Sequence, residues 1–281
     1  MNTIPTISAI AAVACVYLFA TAPAPLPEAP ERSGSRNAVI PVSELFDTVN
    51  LVNAKTRQIW TSRIVGKGME AGLKFEEHWL DDGEEAGPLP ALFVRLTAEN
   101  LEKQKSSLAL FLGSDKPINK ANLFQGEQIA QFAAINEDNK PRYFSMERMG
   151  VEVGMYPDFA SAPACVSCHN QHEKSAKQDW KLNDVMGATT WTFPSKKVSD
   201  SEIHKNIGHL YTAIQKSYQT YLDRVRKFSA NVKIGKEWPE KANLALPDAD
   251  TFMDAILEAT APAVDKKVYL DAASIENRDR R

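Results

Sequence analysis

Three cysteines in 281 residues are too few for a disulfide scaffold, and a chain of this length buries a core without one. No excess of one charge sign is present: 33 Lys and Arg stand against 36 Asp and Glu. The resulting net charge of −3 leaves no basic footprint for phosphates, so nucleic acid is dropped as a partner. No internal repeat is found, and with 43% apolar and 25% charged residues the composition is that of an ordinary globular protein rather than a disordered or multispan membrane one. One main domain is the default at this length.

What is present begins at the N-terminus. Residues 1–22 carry no charged side chain, and the apolar stretch from Ala9 to Ala22 is too short for a spanning helix. It reads as an export signal, with small residues at Ala20-Thr21-Ala22 and Ala22-Pro23-Ala24 as cleavage sites and neighbouring prolines that leave an uncleaved anchor open. Residues 1–26 are therefore expected to be a signal peptide or membrane tether, and residues 27–40, rich in Pro, Ala, Glu and Ser, a flexible linker. The expected location is the periplasm.

Periodicity organises the rest. Leu45, Val49, Val52, Ile59 and Ile64 lie near one helical face, and Gly66, Gly68 and Gly72 are expected to break that helix. The turn signal Gly87-Pro88-Leu89-Pro90 precedes a helix over 91–102. Short extended segments are expected at 108–112, 142–149, 151–155 and 188–193, with a helix over 122–135 between the first two. Ser199 and Glu202 form a capping box, and Ile203, Ile207, Leu210, Ile214, Tyr218, Tyr221, Val225 and Phe228 follow at three-four spacing. That defines a long helix within 196–233 whose seam is able to pair two chains as a homodimer. An extension, 234–281, carries a short helix near 252–259. The class is α+β, with residues 41–195 as the central domain.

The chemistry sits in Cys165-Val166-Ser167-Cys168-His169. In an exported chain a C-x-x-C-H pentapeptide reads as c-type haem attachment. Two thiols three positions apart each reach one vinyl group of a porphyrin, and the adjacent imidazole becomes the proximal iron ligand. With 3 Cys and 5 His, shuffling yields this order only about four times in ten thousand. Asp158 and Pro163 upstream place the motif on a loop. A thioredoxin-like redox pair is the alternative for the two thiols, set aside because no βαβ pattern surrounds them. A compact zinc site adding His169 and His172 is another, set aside because no second C-x-x-C exists.

At these residues the chain resembles the bacterial c-type haem family proteins, whose PAS-like domains also occur as extracytoplasmic sensors on kinases and cyclases. The resemblance covers residues 45–194 and, weakly, the following helix. It is carried by Gly87-Pro88-Leu89-Pro90-Ala91 with Arg95, by Leu112-Gly113-Ser114-Asp115-Lys116-Pro117-Ile118-Asn119, and by Cys165 to His172 with Ser175, Asp179-Trp180-Lys181 and Asp184-Val185-Met186-Gly187. It implies a PAS-like antiparallel sheet holding one covalent haem c between long N- and C-terminal helices. The chain departs from signalling members after Phe228, where no apolar run approaches the ~20 residues of a span.

The opposite axial position decides the chemistry. Cys15 lies in the export segment, which removes a thiolate; Met155, Met186 and His78 are the candidates. His172 suits a hydrogen bond to a propionate rather than the iron. Phe111, Phe159, Trp180, Val185 and Trp191 are expected to bury the ring at roughly 25 cal/mol per Å² of apolar area. Arg95 and Lys181 are expected to face propionates. The expected function is redox or small-ligand sensing, with a diatomic gas as ligand, in a protein that is not an enzyme. A soluble periplasmic electron-transfer cytochrome with a redox partner protein is the alternative. A haem peroxidase ranks third, because no distal acid–base pair is visible in the spacing.

Overall fold

The computed structural model describes residues 39–264. The expected signal or tether at 1–26, the linker as far as 38, and the chain beyond 264 lie outside the described residues. Val39 and Ile40, expected in the linker, form the first strand: β1 (Val39–Pro41) pairs antiparallel with β8 (Lys197–Ser199). Helix α1 (Val42–Ile59) follows at once, its first N–H bonded to the Lys196 carbonyl at 3.0 Å in place of a side-chain cap.

The helix does not break at Gly66. It widens into a π-helix over Trp60–Gly66, resumes as α2 (Lys67–Ala71), and ends only at Gly72, whose φ of 104° is left-handed. Interior glycine costs about 1 kcal/mol per residue. Burial of Trp60, Ile64 and Val65 in that same stretch outweighs this cost and carries the helix through.

Next come β2 (Lys74–Glu76) and β3 (Ala86–Pro88), paired in parallel, and α3 (Pro90–Glu102), with proline at its first position where a missing N–H costs nothing. Strand β4 (Ala109–Gly113), a 3₁₀ turn (Lys120–Asn122), α4 (Glu127–Asp138), β5 (Arg142–Met146) and β6 (Val151–Phe159) lead to α5 (Pro163–Gln171) and β7 (Val185–Phe193). Helix α6 (Asp200–Val225) starts on the expected capping box, and β9 (Lys233–Gly235), β10 (Ala245–Pro247) and α7 (Ala249–Thr260) complete the described chain. The fold is mixed α+β.

The main sheet is antiparallel, in the order β4-β7-β6-β5. Trp191 stands opposite Gly154 and Leu110, whereas Met155 stands opposite Thr190 and Arg142, so Trp191 and Met155 project from opposite faces. Tyr156 and Trp191 join the larger core with α1, α3, α6 and α7. Met155 and Ala188 join a smaller one with Phe124, Phe132 and Ile135.

In the larger core Trp60 stacks on Phe93 at 4.1 Å and Tyr218 on Phe252 at 4.0 Å. Ile207, Leu210, Ile214, Tyr218, Tyr221 and Val225 are all at most 2% exposed, so the central part of the seam expected to pair two chains is spent inside this one. Phe252 and Ile256 of α7 pack into the same core as Leu45 of α1, so the segments on either side of 195 and 233 share one core. Among the described residues no helix is long and apolar enough to cross a membrane.

Candidate functional site

The C-x-x-C-H motif lies on a helix, not on the loop expected from Asp158 and Pro163. Ala162 is extended, and Pro163 occupies the first position of α5, where its fixed φ starts a helix rather than breaking one. At helical spacing Cys165, Cys168 and His169 share one face. Both thiols are free, Cys165 half-buried and Cys168 exposed. No residue of α5 is buried, although a nine-residue helix is too short to be stable without packing.

Asn170 clasps the chain that returns beneath. Its side-chain oxygen accepts from the Trp180 N–H at 2.8 Å and its amide donates to the Trp180 carbonyl at 3.0 Å. This brings the buried Trp180 ring edge-on to His169, with centroids 6.5 Å apart. His169 Nδ1 is buried without a hydrogen-bond partner, and so is Trp180 Nε1. Burial, with smaller contributions from His172 and Arg95, holds the His169 imidazole below its ordinary proton affinity against the pull of Asp158 and Glu77. The neutral ring that results keeps a lone pair for a metal.

His172 is committed elsewhere. Its Nδ1 accepts the Lys174 N–H at 3.1 Å, so Nε2 carries the proton and donates to Glu77 at 3.1 Å. Below α5, Arg57 of α1 binds Asp158 through both carboxylate oxygens, at 2.7 and 3.0 Å. Asp158 stands at a register irregularity in β6, and the next residue, Phe159, is 39% exposed. Beside α5 a groove of about 610 Å³ is lined by Glu77, Ile118, Asn119, Lys120, Glu173, Lys174 and Ser175. Segments 118–120 and 173–175, distant in sequence, thus line one groove, which has the size of a cofactor site.

Of the expected wall residues, Phe159 and Trp180 flank α5. Phe111 and Val185 are half-buried against the smaller core, and Trp191 lies in the larger one, its Nε1 donating to Asn50 at 3.3 Å. Met155 is fully buried in the smaller core. Met186 is half-buried, its carbonyl accepting from Ser114 Oγ at 2.7 Å. The His78 side chain is 74% exposed beside Asp81. Lys181 is exposed and Arg95 half-buried on α3. Asn170 falls within the Cys165–His172 stretch that carries the resemblance, but its clasp on Trp180 has no signal in the sequence. Glu77 is not singled out by the sequence, and nothing in a single chain links residues 57 and 158.

These residues fit a covalently held haem: two accessible thiols on one helix face, a neutral imidazole with an orphaned nitrogen beside them, and an exposed phenylalanine at the rim. They fit a redox dithiol less well. A strand does run into the motif helix, but β6 and β7 on either side are antiparallel. Partial burial, with Glu77 and Cys165, pushes the Cys168 thiol up, whereas attacking thiols of such pairs are pulled down. Among the described residues no three or more His, Cys, Asp or Glu converge on a bare metal ion.

Fold and site together define an α+β domain that presents a C-x-x-C-H helix at the end of an antiparallel sheet. The Tll0287-like family model matches residues 34–194, more than half of the chain and including the motif, and the chain belongs to this Tll0287-like family. Neither the curated proteins nor the solved structures compared with it yield a match.

Proposed function

We propose that the protein is an exported monohaem c-type protein whose PAS-like domain senses redox state or a small ligand such as a diatomic gas. The observation that carries the reading is the one helix face shared by Cys165, Cys168 and His169 on α5, with His169 Nδ1 left unpartnered beside Trp180. The antiparallel sheet, preceded in the chain by the long helix α1 and followed by α6, supports its PAS-like part. The periplasmic location rests on residues 1–26 and on thiol ligation of haem taking place outside the cytoplasm.

A bound haem would supply a one-electron couple and a coordination position for a small ligand. The Cys165 and Cys168 sulfurs would hold the ring, and His169 would take the proximal place. Trp180, held by the Asn170 clasp, would stand edge-on to that imidazole, and Glu77, bonded to His172, would keep this second histidine from serving as a ligand. Arg57 and Asp158 anchor the strand end from which α5 departs.

Haem staining after denaturing electrophoresis tests this. The wild-type chain should stain and the Cys165→Ala/Cys168→Ala chain should not; staining retained in the double variant would overturn the assignment. Exposure of Cys168 and of Phe159 favours a second reading, a soluble electron-transfer cytochrome meeting a redox partner protein. Difference spectra with CO separate the two, since a sensor with an available position shifts its Soret band and a tightly six-coordinate carrier does not.

A further inference from the structure

A second cavity, of about 180 Å³, opens between α3 and the edge strand β4. Its walls are apolar: Val94 and Ala98 from the helix, Leu110, Phe111 and Leu112 from the strand. Three polar residues complete an otherwise greasy lining, Arg95 and Glu99 from α3 and Asn122 from the 3₁₀ turn. Arg95 Nε and Asn122 Nδ2 are both buried donors without a hydrogen-bond partner. An unmet buried donor costs about 1–3 kcal/mol, more when charged, and two of them at one small cavity call for an acceptor.

The acceptor is anionic. Arg95 is a cation held in partial burial, which pulls its guanidinium below its ordinary value, and its electrostatic partner Glu77 is already hydrogen-bonded to His172. The acidic group on the lining, Glu99, is exposed at the mouth and screened by solvent. Because β4 is the sheet edge, alternate backbone groups on its outer side are also open to a ligand. A planar carboxylate matches the Arg fork and one amide donor, and the apolar walls match a short hydrocarbon body.

We propose that the cleft between α3 and β4 binds a small monocarboxylate with an apolar body, its carboxylate held by Arg95 and Asn122. Carboxylates have two sources here, a free metabolite or a propionate of the haem proposed above, and we assign the cleft to the free ligand. The site stands on its own donors and does not depend on the haem reading.

Calorimetric titration of the full chain as purified with butyrate and benzoate, against butyramide and benzamide, tests the assignment. The carboxylates should bind at least about tenfold more tightly than the amides, and Arg95→Gln should weaken them by about tenfold or more, as loss of a charge-assisted bond requires. Asn122→Ala should weaken them about fivefold, and Arg95→Lys should fall between wild type and Arg95→Gln. Asn122 lies outside the core, so its variant keeps the test open if Arg95→Gln fails to fold. No binding to the wild-type chain, or equal binding to wild type and Asn122→Ala, overturns the proposal. Binding that appears only in the Cys165→Ala/Cys168→Ala chain overturns it too, by giving the cleft to a propionate. Haem staining of the same samples reports separately on the haem reading.

Discussion

Arg57 and Asp158, 101 residues apart, meet through both carboxylate oxygens and join the last turn of α1 to the end of β6. The side chains are 24% and 20% exposed, between a surface pair and a buried one. Burial alone would lower the guanidinium; the carboxylate more than offsets it and holds Arg57 above its ordinary value. Cys165 lies seven residues past Asp158, so this pair sets where the motif helix leaves the sheet.

Arg57→Ala should therefore cost about 1–3 kcal/mol, between the surface and buried limits for an ion pair. Because Asp158 is left without its partner, Asp158→Asn in the same chain should recover part of the loss. Chemical denaturation of the three chains measures this, and a double variant as unstable as Arg57→Ala would show that packing rather than charge is at work.

Gly187 faces the edge strand so closely that a Cβ there would collide with the Gly113 carbonyl oxygen, which is backbone and cannot turn aside. Gly187→Ala should destabilise by about 2 kcal/mol or more by prying β4 from β7. Hydrogen exchange should show the loss at β4 first; protection unchanged there would refute the steric reading.

The capping box of α6 gives a pH signature. The Ser199 backbone N–H and hydroxyl hold the Glu202 carboxyl below its ordinary range. A carboxyl depressed on folding stabilises above its unfolded pKa, and that contribution fades as pH falls through the folded value. Ser199→Ala should cost about 1 kcal/mol at neutral pH, a typical loss for an N-cap. The gap between variant and wild-type melting temperatures should narrow on acidification below about pH 4, near the ordinary carboxylate pKa. A gap constant from pH 7 to pH 3 would mean that the Glu202 half of the box is inactive.

Met155 and Met186 separate by what each loses. Met155 is fully buried against Phe132 and Ile135, so Met155→Ala should cost about 2–5 kcal/mol through the cavity it leaves, with the visible spectrum of the purified protein unchanged. Met186 is half-buried near the α5 side, and its substitution should be mild in stability. A spectral change on Met155→Ala with stability intact would favour Met155 as an axial ligand.

Legibility in the sequence followed the range of the interactions. The capping box at Ser199, the long α6 and the strands from β4 to β7 depend on neighbours within a few residues, and their periodicities show directly. The pentapeptide was visible because its chemistry is written in adjacent positions. Its helix was not: Pro163 and Asp158 are loop punctuation in general and a helix start only when Ala162 happens to be extended. Gly66 and Gly68 look like breakers in sequence because the burial that overrides them comes from α3, α6 and α7. Alternation along β6 separates the faces of Met155 and Tyr156, but which face meets α1 and which meets α4 is a tertiary fact.

The larger core joins Val42 at one end of the described chain to Val264 at the other. A chain delivered N-terminus first cannot close such a core until its last helix has arrived, and β4 must wait for β7 across some eighty residues before the sheet is whole. Cys165 and Cys168 emerge inside that interval. Core closure and thiol access are thus uncoupled: α5 contributes no residue to either core, so the two cysteines stay within reach of solvent before α7 arrives and after it.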